Sequence, residues 1–213
     1  MKPYFHGRTG ITSIDLPNVT SIPEYCFYGC TNLTSFSAPN CTSLGGSCLN
    51  ASKLANIYFP KVTTIESLSF ANTKLVYAIF PSLKTVYNNA FAPVTTLVGA
   101  DFGGTPTSSQ GLFKASIFSG CTNLNILVLR ANTTWPLTNI NVFTNTPFAS
   151  GKTGGILYVP SAQISAYQAA TNWSTILGYA NNQIKSIEST ATDPDATVDL
   201  TTHYVDGTLI PTT

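Results

Sequence analysis

The sequence predicts a solenoid: a right-handed coil of short repeats with a parallel β-sheet along one face, little helix, and a short capping helix near the C-terminal end. Three observations carry this reading. The stretch FYGCTNLTSFSAP, Phe27 to Pro39, recurs in close copies, and its GCTNL returns letter for letter at Gly120 to Leu124. The closing proline Pro39 is matched by Pro17, Pro60, Pro81 and Pro160, at a spacing of about 21 or 22 residues in the regular part, the period of a stacked-coil architecture. The third observation is compositional. Charged residues make up 9% of the 213-residue chain against 43% hydrophobic, so the polar surface is mostly Ser, Thr and Asn, as in extracellular β-rich repeats.

Aligned on the prolines, the strand segments read ITSIDLP from Ile11, LTSFSAP from Leu33, LANIYFP from Leu54 and LVYAIFP from Leu75. Without the proline the series continues as LVGADF from Leu97 and LNILVL from Leu124, and GILYVP ending at Pro160 keeps the last two apolar slots. Side chains alternate along a strand, so the apolar slots of this LxxLxL pattern point inward. Behind each strand a second signature recurs: Val19, Ile22, Phe27; then Cys41, Leu44, Leu49; Val62, Ile65, Phe70; and Leu83, Val86, Phe91. Each unit therefore has one short strand and a return path, and Phe27, Phe70, Phe91 and Phe118 should stack as an internal column.

Five regular coils run to about Phe102, where Gly103 and Gly104 replace the proline. GGTPTSSQG lengthens the next coil, and a second expansion runs from Asn132 to Gly155; insertions in a solenoid map to loops on one face. From Ser161 the period changes, and Ile164, Tyr167 and Ala170 take helical spacing, predicting a helix over about 161–171 with Ser161 as its N-cap. Trp173, Ile176 and Leu177 should pack on the open end, with a final strand in IKSIE, Ile184 to Glu188. Residues 1–188 are thus read as the array with its cap. Residues 189–213, rich in Thr and Asp, read as a linker, a weak hairpin around Asp206 and Gly207, or the start of a following domain. At the other end FHGRTGI, from Phe5, falls on the slots of FYGCTNL, so the chain opens inside a repeat and reads as a fragment of a longer protein.

Units such as CFYGCTNL, AFAPVTTL and IFSGCTNL, each followed by LxxLxL, resemble the BspA-like leucine-rich repeats of bacterial surface proteins. The run from Leu127 to Ile176, with its tyrosine-valine-proline strand and asparagine-tryptophan-serine turn, is similar to the closing segment of BspA-type proteins from gut Firmicutes and their prophages. The resemblance covers residues 5–188. It implies a leucine-rich repeat solenoid and adhesion to host or matrix or, in prophage genes, a place among tail and receptor-binding proteins. It brings no catalytic residue with it. The sequence departs from the pattern in lacking proline after Phe102 and Leu129.

Little in the residues points to chemistry. The two histidines, His6 and His203, stand at opposite ends of the chain, which disfavours a His-based triad or zinc site. GGTPTSSQG lacks the lysine and following helix of a phosphate loop. Asp193, Asp195 and Asp199 have spacing that could hold calcium, but the glycine and distal glutamate of a calcium loop are missing, so a solvated linker is the plainer reading. No cofactor or metal is expected. The formal net charge of +1 and the absence of a basic run argue against nucleic acid as a partner, and no apolar stretch is long enough to span a membrane. The five cysteines, Cys26, Cys30, Cys41, Cys48 and Cys121, trade places with Ser, Ala and Val, as small buried residues do. Pairing of Cys26 with Cys48, which share a slot in successive coils, stays open.

What remains is the outward side of the strand ladder: Ser13 and Asp15, Ser35 and Ser37, Asn56 and Tyr58, Tyr77 and Ile79, Gly99 and Asp101, Ile126 and Val128, Ile156 and Tyr158. The later rungs gather Tyr58, Tyr77, Ile79, Ile126, Val128, Ile156 and Tyr158 into an apolar and aromatic face, the candidate ligand site. The alternative is that the C-terminal helix or the residue 103–111 insertion folds across it. The expected partner is a protein or glycan on a host or bacterial surface, and the expected location is extracellular or at the cell surface, with a phage virion as the alternative. Against this binding module stands a structural spacer that presents a neighbouring domain.

Overall fold

The computed structural model describes residues 5–106 and 113–187, together with the backbone of residues 204–205 and 208–209. Each coil up to the fourth contributes one strand to a front ladder and one to a back ladder. In chain order the strands are β1 (Ser13–Asp15), β2 (Ser21–Ile22), β3 (Ser35–Ser37), β4 (Ser43–Leu44), β5 (Asn56–Tyr58), β6 (Thr64–Ile65), β7 (Tyr77–Phe80) and β8 (Thr85–Val86). The series continues with β9 (Gly99–Phe102), β10 (Ile126–Leu129), β11 (Ile156–Val159), β12 (Gln183–Ser186), β13 (Tyr204–Val205) and β14 (Thr208–Leu209). The front ladder is parallel throughout and comes in two pieces, β1-β3 and β5-β7-β9-β10-β11-β12. The back ladder is the parallel sheet β2-β4-β6-β8, which adds a second, shorter ladder to the parallel sheet expected on one face. The return path is itself a strand, because its Val-x-x-Ile slots also point inward and stack in register.

Between the ladders lies one continuous core. Two columns of rings fill it. On the back side Phe5 stacks on Phe27 at 5.2 Å, Phe70 on Phe91 at 5.3 Å, Phe91 on Phe118 at 5.5 Å and Phe118 on Phe143 at 5.9 Å. On the front side Phe36, Phe59, Phe80 and Phe102 follow one another at 5.7–6.1 Å. The columns interlock, with Phe70 touching Phe59 and Phe80, and Phe91 touching Phe80 and Phe102. The expected column of Phe27, Phe70, Phe91 and Phe118 is present, interrupted at Leu49, which takes the slot between Phe27 and Phe70.

The coils turn their corners through left-handed residues that fall in two series, paired in four coils. One series is Tyr25, Ser47, Leu68, Asn89 and Ser116, all with φ between 54° and 62°; the other is Gly29, Ala51, Asn72, Gly120 and Asn145. Glycine in the GC motif takes this region without strain, whereas Ala51, Asn72 and Asn145 hold the same slot at a cost. Gly103 and Gly104 serve close approach instead: a Cβ on Gly104 would collide with the Leu83 carbonyl oxygen.

The C-terminal cap differs in detail from the expected single helix. A 3-10 turn, Ser161–Gln163, leads into α1 (Ile164–Ala169), and a second short helix, α2 (Trp173–Leu177), comes after it. Ser161 is the first residue of the turn and not its N-cap; the cap position is Pro160, with no side-chain hydrogen bond. The break between the helices falls at Ala170, which is extended, and Asn172, at φ 65°. The Asn172 side chain donates to the Leu137 carbonyl at 2.8 Å. Trp173 donates through Nε1 to the Trp135 carbonyl at 2.6 Å, and the Trp135 amide donates to the Tyr167 hydroxyl at 3.0 Å. Trp173 goes beyond covering an edge: it is fully buried among Phe113, Phe143 and Tyr167.

Candidate functional site

The front ladder fixes which outward side chains are neighbours. By register one column runs Asn56, Tyr77, Gly99, Ile126, Ile156, Gln183, and the next Tyr58, Ile79, Asp101, Val128, Tyr158, Lys185. Every candidate residue named from the sequence lies in these two columns, so the ladder brings Tyr58, Tyr77, Ile79, Ile126, Val128, Ile156 and Tyr158 onto one face. Ile79, Val128 and Tyr158 form a cluster of their own, separate from the main core, with Tyr77, Ile126, Ile156 and Ile187 packed against it.

Their exposure differs from the expectation. Tyr58 is 39% exposed and Tyr77, Ile126 and Ile156 are half-buried, but Ile79, Val128 and Tyr158 are 1%, 0% and 3% exposed. The expectation that these three stand in solvent is corrected: strand alternation tells which side of a sheet a side chain is on, not what lies over that side. The C-terminal helices do not lie there, because Tyr167, Trp173 and Ile176 belong to the main core. The first two rungs, Ser13 and Asp15 and Ser35 and Ser37, are exposed.

Asp101 is the acidic side chain in the midst of this face, and it is 1% exposed. Arg130, one coil on, answers it with a two-pronged contact: Nε donates to Oδ1 at 2.8 Å and Nη2 to Oδ2 at 2.6 Å. A buried carboxylate without such a partner would be strongly destabilising, so the pair neutralises the face from within. The sequence placed Asp101 on this surface but held no signal for its partner, which lies 29 residues away across an irregular coil.

Other groups weighed for chemistry on their sequence stay apart. His6 is exposed and stacks on Tyr28 at 5.0 Å; His203, Asp193, Asp195 and Asp199 lie outside the described residues, as do residues 107–112 of the insertion. No group of three or more His, Cys, Asp or Glu side chains able to hold a metal occurs among the described residues. The five cysteines are free thiols, all buried except the half-buried Cys26. Burial pushes the Cys48 thiol far above its ordinary range and that of Cys121 up to about 12, which marks packing residues and not nucleophiles. Among the described residues no helix is long and apolar enough to cross a membrane.

Comparison with known proteins bears on this geometry. Residues 2–98 match, in six copies, the profile of the BspA type leucine rich repeat region. No curated protein matches the sequence. Among solved structures, a leucine-rich repeat protein from Bacteroides ovatus aligns at 17% identity with a TM-score of 0.38, covering 87% of this chain and 56% of that one; the chain thus spans little more than half the length of that protein. The strand–corner–strand unit repeated along two parallel ladders and the profile match on its regular coils agree: the chain has a leucine-rich repeat fold, and its residues 2–98 match a BspA type leucine rich repeat region.

Proposed function

We propose that the chain is a non-catalytic binding module of a bacterial cell-surface or phage tail-associated protein, holding a protein or glycan on the outer face of its front ladder. The observation that supports this is the two-column face itself: tyrosine and aliphatic side chains held in fixed register on a rigid sheet, with their one carboxylate neutralised by Arg130. Tyrosine gives large, rigid contact area with a polar tip and is enriched in interface hot spots. Tyr58 at 39% exposure and the half-buried Tyr77 are the accessible anchors; the half-buried Ile126 and Ile156 extend the same surface around the buried Ile79, Val128 and Tyr158. Surface display is in keeping with the association of the BspA-type family with bacterial surfaces.

The test is binding to host-cell or bacterial-surface extract by the parent and by a Tyr58→Ser, Tyr77→Ser double variant. Binding should survive added salt, because the face is neutral, and fall in the double variant while the fold is kept. Unchanged binding by the folded variant would move the site to the loops. A second reading, a spacer that presents a neighbouring domain, is favoured by the burial of Ile79, Val128 and Tyr158 and predicts no saturable binding in either protein.

A further inference from the structure

The outer face of the front ladder is closed at its centre. In-register neighbours flank a side chain on a parallel ladder but leave its tip facing outward, and purely parallel sheets are found with both faces covered. Val128 is nonetheless wholly buried and Ile79 and Tyr158 nearly so, on the side away from the main core and its helical cap. Ile187, the first residue beyond β12, packs against the same cluster, and its amide donates to the Val159 carbonyl at 2.9 Å. Ile187 thus stands at the edge of this face.

The residues beyond Ile187 are complementary in charge to those before it. Residues 1–187 hold all ten Lys and Arg of the chain but only Asp15, Glu24, Glu66 and Asp101 as acids, a formal charge of +6. Residues 188–213 hold Glu188, Asp193, Asp195, Asp199 and Asp206 and no Lys or Arg, a formal charge of −5. Lys185 stands in the rung beside Tyr158, in the column of the apolar cluster. Strands β13 and β14 pair antiparallel, Tyr204 with Leu209 and Val205 with Thr208, and a hairpin of this size is not stable alone in water. The 16 residues between Ile187 and Tyr204 can span up to about 50 Å. The ladder from β12 to β5 is five strand spacings, about 24 Å.

We propose that the chain's own C-terminal hairpin, β13–β14, is the occupant of the outer ladder face, seated over Ile79, Val128 and Tyr158 and held by apolar contact together with the opposite charges of the two parts. The hairpin is thus an intramolecular strap. It stands whether or not the face also binds a partner, but any partner using these rungs must first displace it.

Photo-crosslinking in the full chain tests this. A benzophenone amino acid replaces Leu209 in one protein and Val205 in another, each irradiated as an equal mixture of light and heavy isotopic forms, and the linked peptides are mapped by mass spectrometry. The expected result is links within one chain to β7, β10 and β11, lost when Val128→Asp puts a charge into the seat. Links to the back ladder or to the cap would overturn the proposal. So would links found only between light and heavy chains, which would make a second copy the occupant, or links unchanged by Val128→Asp in a protein that still melts cooperatively.

Discussion

Leu68 sits at φ 62° in the first corner series, where its counterparts are Tyr25, Ser47, Asn89 and Ser116, and its side chain is 39% exposed. A left-handed conformation costs a residue with a Cβ about 1–2 kcal/mol, and the exposed leucine recovers little of that by burial. Leu68→Gly should therefore stabilise the chain by about 0.5–1 kcal/mol after glycine's own entropy cost, read as a higher denaturant midpoint at unchanged slope. Its neighbour Glu66 gives a pH signature. Burial first, and then the nearby Glu24 charge, raises the Glu66 carboxyl above its ordinary value of 4.5. The folded chain then binds that proton more tightly than the unfolded one, so ionised Glu66 costs stability above the raised value and not below 4.5. Glu66→Gln should raise the melting temperature at pH 7 and leave it nearly unchanged at pH 4. In the core, Phe70 packs against the rings of Phe59, Phe80 and Phe91, and Phe70→Ala should cost about 3–5 kcal/mol; a melt within a degree or two of the parent would contradict the slot assignment. At this scale the sequence was readable wherever a slot recurred. Phe70 and Phe91 announced themselves by position, whereas the left-handed corner could be inferred at Gly29 and Gly120 but not at Leu68, whose identity carries no trace of its φ.

At the scale of elements, the front strands were legible because LxxLxL alternation is a direct result of strand geometry. The back strands β2, β4, β6 and β8 were not, since two residues are too few to show a period. The cap was legible as helix from Ile164 and Tyr167, but its division in two was not: it arises from contacts made by Asn172 and Trp173 to residues 135–137, far away in sequence. Those contacts make the cap part of the core. Truncation after Pro160 removes Tyr167, Trp173 and Ile176 and bares Phe113, Trp135 and Phe143. It should give aggregation or loss of cooperative unfolding, because a solenoid with an uncovered end exposes its core. A soluble monomeric truncation with the parent's melting curve would show the array closed without it.

For the whole molecule, the position of the candidate face was legible in the repeat pattern but its burial was not. Ile79 and Tyr58 occupy the same column one rung apart, yet one is closed and the other 39% exposed; that difference comes from what overlies the sheet, and no repeat pattern encodes it. The salt response belongs to this scale too. Seating of the acidic C-terminal segment on the basic array should weaken as salt screens it, so partner binding through Tyr58 and Tyr77, apolar in itself, should hold or rise with ionic strength as the strap lets go. Crosslinking yield and partner binding measured along one salt series should therefore diverge.

The front ladder breaks between β3 and β5, and the back ring column breaks at the same level, where Leu49 stands between Phe27 and Phe70. Phe36 reaches Phe59 across this gap at 6.0 Å in a tilted contact, and the back strands β4 and β6 remain paired. Mechanically, this is a seam. A chain held by its two ends and stretched should part there first, releasing about 50 residues, roughly 170 Å of contour, before the longer array yields.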